Sequence, residues 1–385
     1  MSRAARTRGR SAGFLTGLAA WLAGATAALA CPVCLGTADG PRLTFVQRLV
    51  ETDLAVLATR GSSPATFRAV ALIKGQAVPQ REIVPEDFGT VATGNTDTVV
   101  LIRRLWPPGW SLAGPLPADR LDWARTVARF KRSSEMSADD WQTRVRFFAS
   151  DLDAASPMVA MAALDEITRA PYRAIRSLRG TIPAATLARW IDVAGSPQRR
   201  KLAILLAGLD HNDGLVTARL RHLSTAQDDG DVAALLTARL EIDGPAGIAK
   251  VEADWVMAQG LSRSVRGSAL LAMRVHAEAE PELWRGPVGT AYRRIVALNP
   301  SLAGLAASHL ESLAMWDAAP ELGRALADGI LPDDAELPVL GFLRAGPTAA
   351  AAAEAEAAIM ARQRFSAAPR SPGPPAPPPP VRPDK

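Results

Sequence analysis

Five segments in the second half of the chain open on a helix-capping residue and continue with small and apolar residues at helical spacing. They begin at Ser156-Pro157, Ser196-Pro197, Asp229-Gly230, Ser262-Arg263 and Asn299-Pro300, spaced 40, 33, 33 and 37 residues apart. A Ser, Asp or Asn oxygen satisfies a free backbone N–H at a helix start, and Pro at the first helical place has no N–H to lose. Interiors such as Val159-Ala160-Met161-Ala162-Ala163-Leu164 and Val232-Ala233-Ala234-Leu235-Leu236 suit helices packed on more than one side. Helix pairs of this length cannot bury their apolar faces alone and must stack on neighbours. The recurrence predicts an irregular all-α, HEAT-like helical-repeat array over residues 119–364.

Upstream the pattern is different. Leu54–Ala58, Thr66–Ile73, Glu82–Val84 and Thr98–Ile102 are short apolar or β-branched runs separated by Gly, Pro, Ser and Asn clusters. They predict a small β sheet or barrel-like domain over residues 41–118, preceded by a helical turn or two at Thr44–Val50. The stretch from Trp106-Pro107-Pro108-Gly109-Trp110 through Pro117 should break regular structure, with its two Trp as lids over the sheet's core. The expected class is α+β: a small N-terminal sheet followed by the helical array.

Residues 1–30 read as a signal peptide. Arg3, Arg6, Arg8 and Arg10 precede an apolar run from Phe14, and Ala28 and Ala30 flank Leu29 before Cys31. Both cysteines then stand at the front of the mature chain, in a short segment 31–40 that begins Cys31-Pro32-Val33-Cys34. Four fates are open to them. The pair can close a small disulfide in an oxidising compartment, or act as a labile redox couple. Cys31 can carry a lipid after cleavage, which would be the chain's membrane attachment. The two thiolates and the new α-amine can also hold a soft ion such as Cu(I) or Zn(II), so Cys31 and Cys34 are the candidate metal ligands. Haem attachment is excluded because Leu35, not His, follows the second cysteine.

The formal charge of +5 points towards nucleic acid only until the leader is removed. Its four arginines carry no compensating acid, which leaves +1, and no basic stripe with interleaved aromatics remains. Nucleic acid is therefore not an expected partner. Residues 365–385 are mostly Pro and read as an extended, disordered tail.

No nucleophile elbow, phosphate loop or dinucleotide fingerprint appears, so no catalytic residue and no cofactor is predicted. His211, His222, His276 and His309 are scattered and read as surface or core side chains. The polar loop Asp210-His211-Asn212-Asp213-Gly214 reads as a cap for the helix after it, and the pairs Asp139-Asp140, Asp228-Asp229 and Asp333-Asp334 as helix-opening acids. Trp141, Trp190, Trp255, Trp284 and Trp316 read as filling between helices.

The Cys31-Pro32-x-Cys34 start, the segment Glu51–Leu57, the strand closing on Leu72-Ile73-Lys74-Gly75, and the helical Arg146-Phe147-Phe148 and Ala170-Pro171-Tyr172 occur in this order. The whole resembles a family of uncharacterised exported bacterial proteins, common in planctomycetes, with a small β domain and a helical-repeat second half. The resemblance implies architecture and export and brings no activity. The expectation is an exported periplasmic or cell-envelope protein, non-enzymatic, offering the array to a protein partner. The alternative is a metal-binding or thiol-redox protein working through Cys31 and Cys34.

Overall fold

The computed structural model describes residues 33, 43–86, 97–104, 108–192, 195–223, 230–346, 353, 356–357 and 359–361. Residues 1–30, read above as a signal peptide, Cys31, Cys34 and the Pro-rich tail lie outside the described residues. The chain is α+β, with a four-stranded antiparallel sheet followed by a helical region. It divides into two compact units. The first runs to Val251 and includes Leu271–Trp284; the second holds Glu252–Leu270 and the residues from Arg285 onward.

In the first unit, helix α1 (Phe45–Glu51) opens on a capping box. Thr44 Oγ1 accepts from the Gln47 N–H at 3.1 Å, and the Gln47 side chain accepts from the Thr44 N–H at 2.9 Å. Strands β1 (Leu54–Arg60), β2 (Phe67–Lys74), β3 (Thr98–Arg104) and β4 (Gly109–Pro115) form the sheet in the order β2-β1-β3-β4. Ala55, Val56, Leu57 and Ala58 of the central β1 are all buried, which accounts for a run without polar alternation. One cluster gathers Val56, Ala58, Phe67, Ile83, Val99, Leu101 and Leu112, with Trp110 packed against it as the expected lid. The Lys74-Gly75 ending has two separate causes. Lys74 Nζ donates to the Val50 carbonyl at the end of α1 (2.6 Å), and Gly75 turns the chain at φ +109°, where a Cβ would press on Leu54.

Two strand expectations are corrected. Glu82–Val84 forms no strand, only a single bridge in which Ile83 and Phe67 exchange both backbone hydrogen bonds at 2.8 Å; Pro85 follows at once and has no N–H to continue a ladder. The stretch expected to break structure instead supplies β4. As an edge strand it tolerates Gly109 at its start and Pro115 at its end, while Ser111, Leu112 and Ala113 are buried on the sheet's two faces.

The helices of the first unit are α2 (Leu121–Val127), α3 (Ala138–Ala149), α4 (Pro157–Arg169), α5 (Tyr172–Ile175), α6 (Ala184–Asp192), α7 (Pro197–Leu209), α8 (Asp213–Leu223), α9 (Val232–Asp243) and α10 (Ile248–Val251). Helix α2 is tied to the sheet by Arg125, whose Nε donates to the Leu72 carbonyl at 3.0 Å, and α1 by Arg48, which donates to the Ala113 carbonyl of β4 at 2.7 Å. Arg144 of α3 and Glu166 of α4, both buried, form an ion pair, and Thr44 Oγ1 donates to the other Glu166 oxygen at 3.1 Å. The Arg144 guanidinium also lies over the rings of Phe130 and Trp141. One buried charge pair thus joins two successive helices to the start of α1, 122 residues before Glu166.

Helix α11 (Arg263–Ala279) and helix α12 (Pro281–Leu298) contribute to both units; α13 (Ala303–Ser312), α14 (Ala319–Ala327) and α15 (Asp333–Ala345) belong to the second. Within that unit Tyr292 OH donates to the Leu270 carbonyl at 2.7 Å and lies 2.9 Å from His309 Nδ1, while Arg294 pairs with the buried Glu252 of a π-helical turn, Glu252–Met257. Trp316 stacks on Phe342 at 4.9 Å.

Of the five predicted helix starts, two cap with their side chains; Ser156 makes no cap bond, Asn299 opens only a 3-10 turn, Pro300–Leu302, also without one, and Asp229 lies outside the described residues. Ser196 and Ser262 accept from the N–H groups of Arg199 and Val265, and Ser156 precedes α4 with Pro157 at its first place. The third helix begins after Asp231, and that side chain does not cap. It is fully buried, and one oxygen accepts from Arg200 Nε and Arg219 Nη2, each at 2.7 Å. Asp140 takes part in the capping box of α3, whereas Asp228-Asp229 lie outside the described residues.

Candidate functional site

After Pro171 the chain makes the single turn α5 and passes directly into a 3-10 turn, Arg176–Leu178. Arg173 lies in α5, Arg176 opens the 3-10 turn and Arg179 follows its end, and the three come to one side of this short tight segment. They line a pocket of about 360 Å3, open to solvent, whose wall is completed by Ala279 and Glu280 at the junction of α11 and α12.

Beneath the arginines lies Glu241 of α9, a buried carboxylate with both oxygens engaged. Its Oε1 accepts from Arg176 Nη2 at 3.0 Å and Arg179 Nη2 at 2.8 Å, and its Oε2 accepts from Tyr172 OH at 3.2 Å. Arg176 Nη1 donates outward to Glu280 Oε2 at 2.9 Å. Both guanidinium groups are therefore anchored from below by one bond each. Two carboxylates against three guanidinium groups leave a formal +1 at the mouth.

The groups do not share their burdens equally. Arg176 is spent on two carboxylates. Arg179, half exposed, uses only one Nη on Glu241 and keeps its Nε and other Nη free. Arg173 is exposed and makes no hydrogen bond or ion pair among the described residues.

His276 supports the site from inside. Its ring is fully buried, stacks on Trp284 at 4.2 Å between centroids and meets Tyr172 edge-on at 5.5 Å. Nε2 lies 2.9 Å from the Thr237 carbonyl, which can only accept, so Nε2 carries the proton and donates. Nδ1 has no hydrogen-bond partner and stands 3.6 Å from Glu241 Oε2. Burial is the main cause holding its pKa down at about 4, ahead of the opposing influences of Thr237 and Glu241.

The arrangement can recognise an anion through directed N–H donors. The groups nearest to acid–base chemistry are already committed: Glu241 is saturated with donors, and His276 is sealed from solvent. The predicted metal ligands Cys31 and Cys34 lie outside the described residues. Among the described residues no set of three or more His, Cys, Asp or Glu gathers to hold a metal. No helix among them is long and apolar enough to cross a membrane.

Of the four histidines, His276 belongs to this cluster, His309 pairs with Tyr292, and His211 ends α7 in the left-handed conformation; the His222 side chain lies outside the described residues. The polar loop after α7 does cap, since Asn212 Oδ1 accepts from the Leu215 N–H at 3.3 Å. Of the five Trp expected to fill between helices, Trp141, Trp190 and Trp284 are buried, while Trp255 and Trp316 are only half-buried.

Sequence reasoning missed the arginine site, although Arg-x-x-Arg-x-x-Arg in Tyr172-Arg173-Ala174-Ile175-Arg176-Ser177-Leu178-Arg179 was a readable signal. Its counter-ions lie 62 to 104 residues further on and carry no local mark. No protein-family model, curated protein or solved structure matches the chain.

Proposed function

We propose that this chain is an exported bacterial protein of the periplasm or cell envelope that acts as a non-enzymatic protein-interaction scaffold, its helical region carrying the contact surface. The observation that supports this reading most is the division of labour among the charges. Those that are buried join helix to helix, as Arg144 does with Glu166, Asp231 with Arg200 and Arg219, and Glu241 with Arg176 and Arg179. The free donors, Arg173 and part of Arg179, point to recognition of another molecule's charge. The leader and the small residues before Cys31 support export.

The test is chemical cross-linking in intact cells, followed by mass measurement of the mature chain from membrane and soluble fractions. The expected result is a chain beginning at Cys31, in a discrete adduct with another protein. Acyl mass on Cys31 would make it a lipid-anchored scaffold. A lone, unadducted chain carrying bound copper or zinc that is lost in the Cys31→Ser, Cys34→Ser double variant would overturn the scaffold in favour of metal or redox work.

A further inference from the structure

We propose that the pocket formed by Arg173, Arg176, Arg179 and Glu280 receives a carboxylate side chain of an acidic peptide segment of the partner, with Arg173 and Arg179 as its donors. This rests on the scaffold reading and names the chemistry of its partner. Three observations lead there. Glu280 already lays a carboxylate on Arg176 at 2.9 Å, so the pocket's geometry suits that group. The Arg179 guanidinium is held at one Nη by the buried Glu241 at 2.8 Å, which restricts the positions of its remaining N–H groups before anything binds. Arg173 brings a full, uncompensated fork to the same mouth.

The size and lining decide between occupants. About 360 Å3 at an open mouth holds one or two side chains and leaves a peptide backbone outside. A self-contained small-molecule site would enclose its ligand between mostly apolar walls, and here only Ala279 is apolar. The Glu280 carboxylate stays close by, and it repels a dianionic phosphate more strongly than a singly charged carboxylate. A peptide with acids in succession can also exchange one side chain for another in the pocket, which raises its effective concentration there.

The experiment uses the full mature protein and a fluorescein-labelled hexaglutamate peptide followed by anisotropy, with hexaglutamine as the uncharged control and inorganic phosphate as competitor. Arg173→Gln breaks no internal bond and keeps the fold. The expected result is saturable hexaglutamate binding that weakens with salt, falls about tenfold in Arg173→Gln and several-fold in Arg179→Lys, and is unchanged in Arg324→Gln of the second unit. Equal losses in Arg173→Gln and Arg324→Gln would show diffuse attraction and overturn the assignment, as would no binding at all. Phosphate binding with the same dependence on Arg173, without hexaglutamate binding, would make this a small-anion site and overturn the peptide occupant. The in-cell adduct separates the two readings: if it persists undiminished in Arg173→Gln, the scaffold stands and the pocket fails, whereas its absence in the wild type removes the scaffold itself.

Discussion

His276 is a histidine kept neutral by its surroundings. Burial, aided by Arg176, outweighs the Thr237 carbonyl, Glu241 and Glu280, which all favour the charged ring, and holds its pKa near 4 against an ordinary value of 6.5. The unfolded chain therefore takes up a proton on this side chain through the range from about 6.5 down to 4, and the folded chain does not. Stability is highest above pH 6.5 and falls as pH drops towards 4, by about 2 kcal/mol between pH 7.5 and 5 from this residue. Urea unfolding at the two pH values checks this; His276→Phe, which keeps the stacked ring and removes the proton site, should flatten that part of the slope. Ala314 is a second residue whose cost is local. It ends α13 at φ +51°, where the Met315 N–H bonds back to the Leu310 carbonyl at 2.9 Å. An alanine Cβ is strained in that region, so Ala314→Gly should raise stability by about 1 kcal/mol, read as a rise in Tm. Neither residue announced itself in the sequence. A left-handed helix end at alanine contradicts the local preference, and a buried His looks the same as a surface one until its neighbours are known.

Helix ends and helix interiors were the most legible elements, because capping and periodicity act over three or four residues. Ser196 and Ser262 do what their sequence position asks. Asp231 does not, because two arginines from other helices claim its carboxylate, and no local rule registers them. The sheet shows the same limit. Gly109–Pro115 has the residues of a loop and becomes a strand because it lies at an edge, with one side unpaired. The small residues of the array also mean more than helix propensity. A Cβ on Gly208 of α7 would lie 2.5 Å from Ala238 Cα of α9, and one on Gly304 of α13 would lie 2.8 Å from Ala335 Cα of α15. Each unit thus has, among its described residues, a helix crossing where backbones nearly touch. Gly208→Ala and Gly304→Ala should lose stability by about 2 kcal/mol, since overpacking outweighs the better helix propensity. Gly341→Ala in α15, where a Cβ meets nothing within 4 Å, should gain a fraction of that. Thermal unfolding of the three variants side by side distinguishes crossing from propensity, because propensity alone would stabilise all three.

At the scale of the molecule, the α+β division could be read from the change in hydrophobic period, while the candidate site could not. Its parts come from Tyr172–Arg179, Glu241 and His276–Glu280, brought together only by stacking of the helices. Glu241 is the member on which the others depend. It accepts from Tyr172, Arg176 and Arg179 at once and faces His276, so one buried carboxylate links positions up to 69 residues away from it in sequence. Glu241→Gln keeps the shape and removes the charge, leaving two guanidinium groups with a neutral amide at their base. The loss expected on removing one member of a buried ionic cluster is about 3 kcal/mol, well above that of a surface pair. Amide hydrogen exchange should accelerate across 172–179, 232–243 and 271–284 together, although the substitution lies in only one of these segments. Arg173→Gln, which alters the same pocket without touching Glu241, should leave exchange in all three unchanged. If Glu241→Gln accelerates exchange only within α9, the carboxylate is a local contact and the arginines are held by something else.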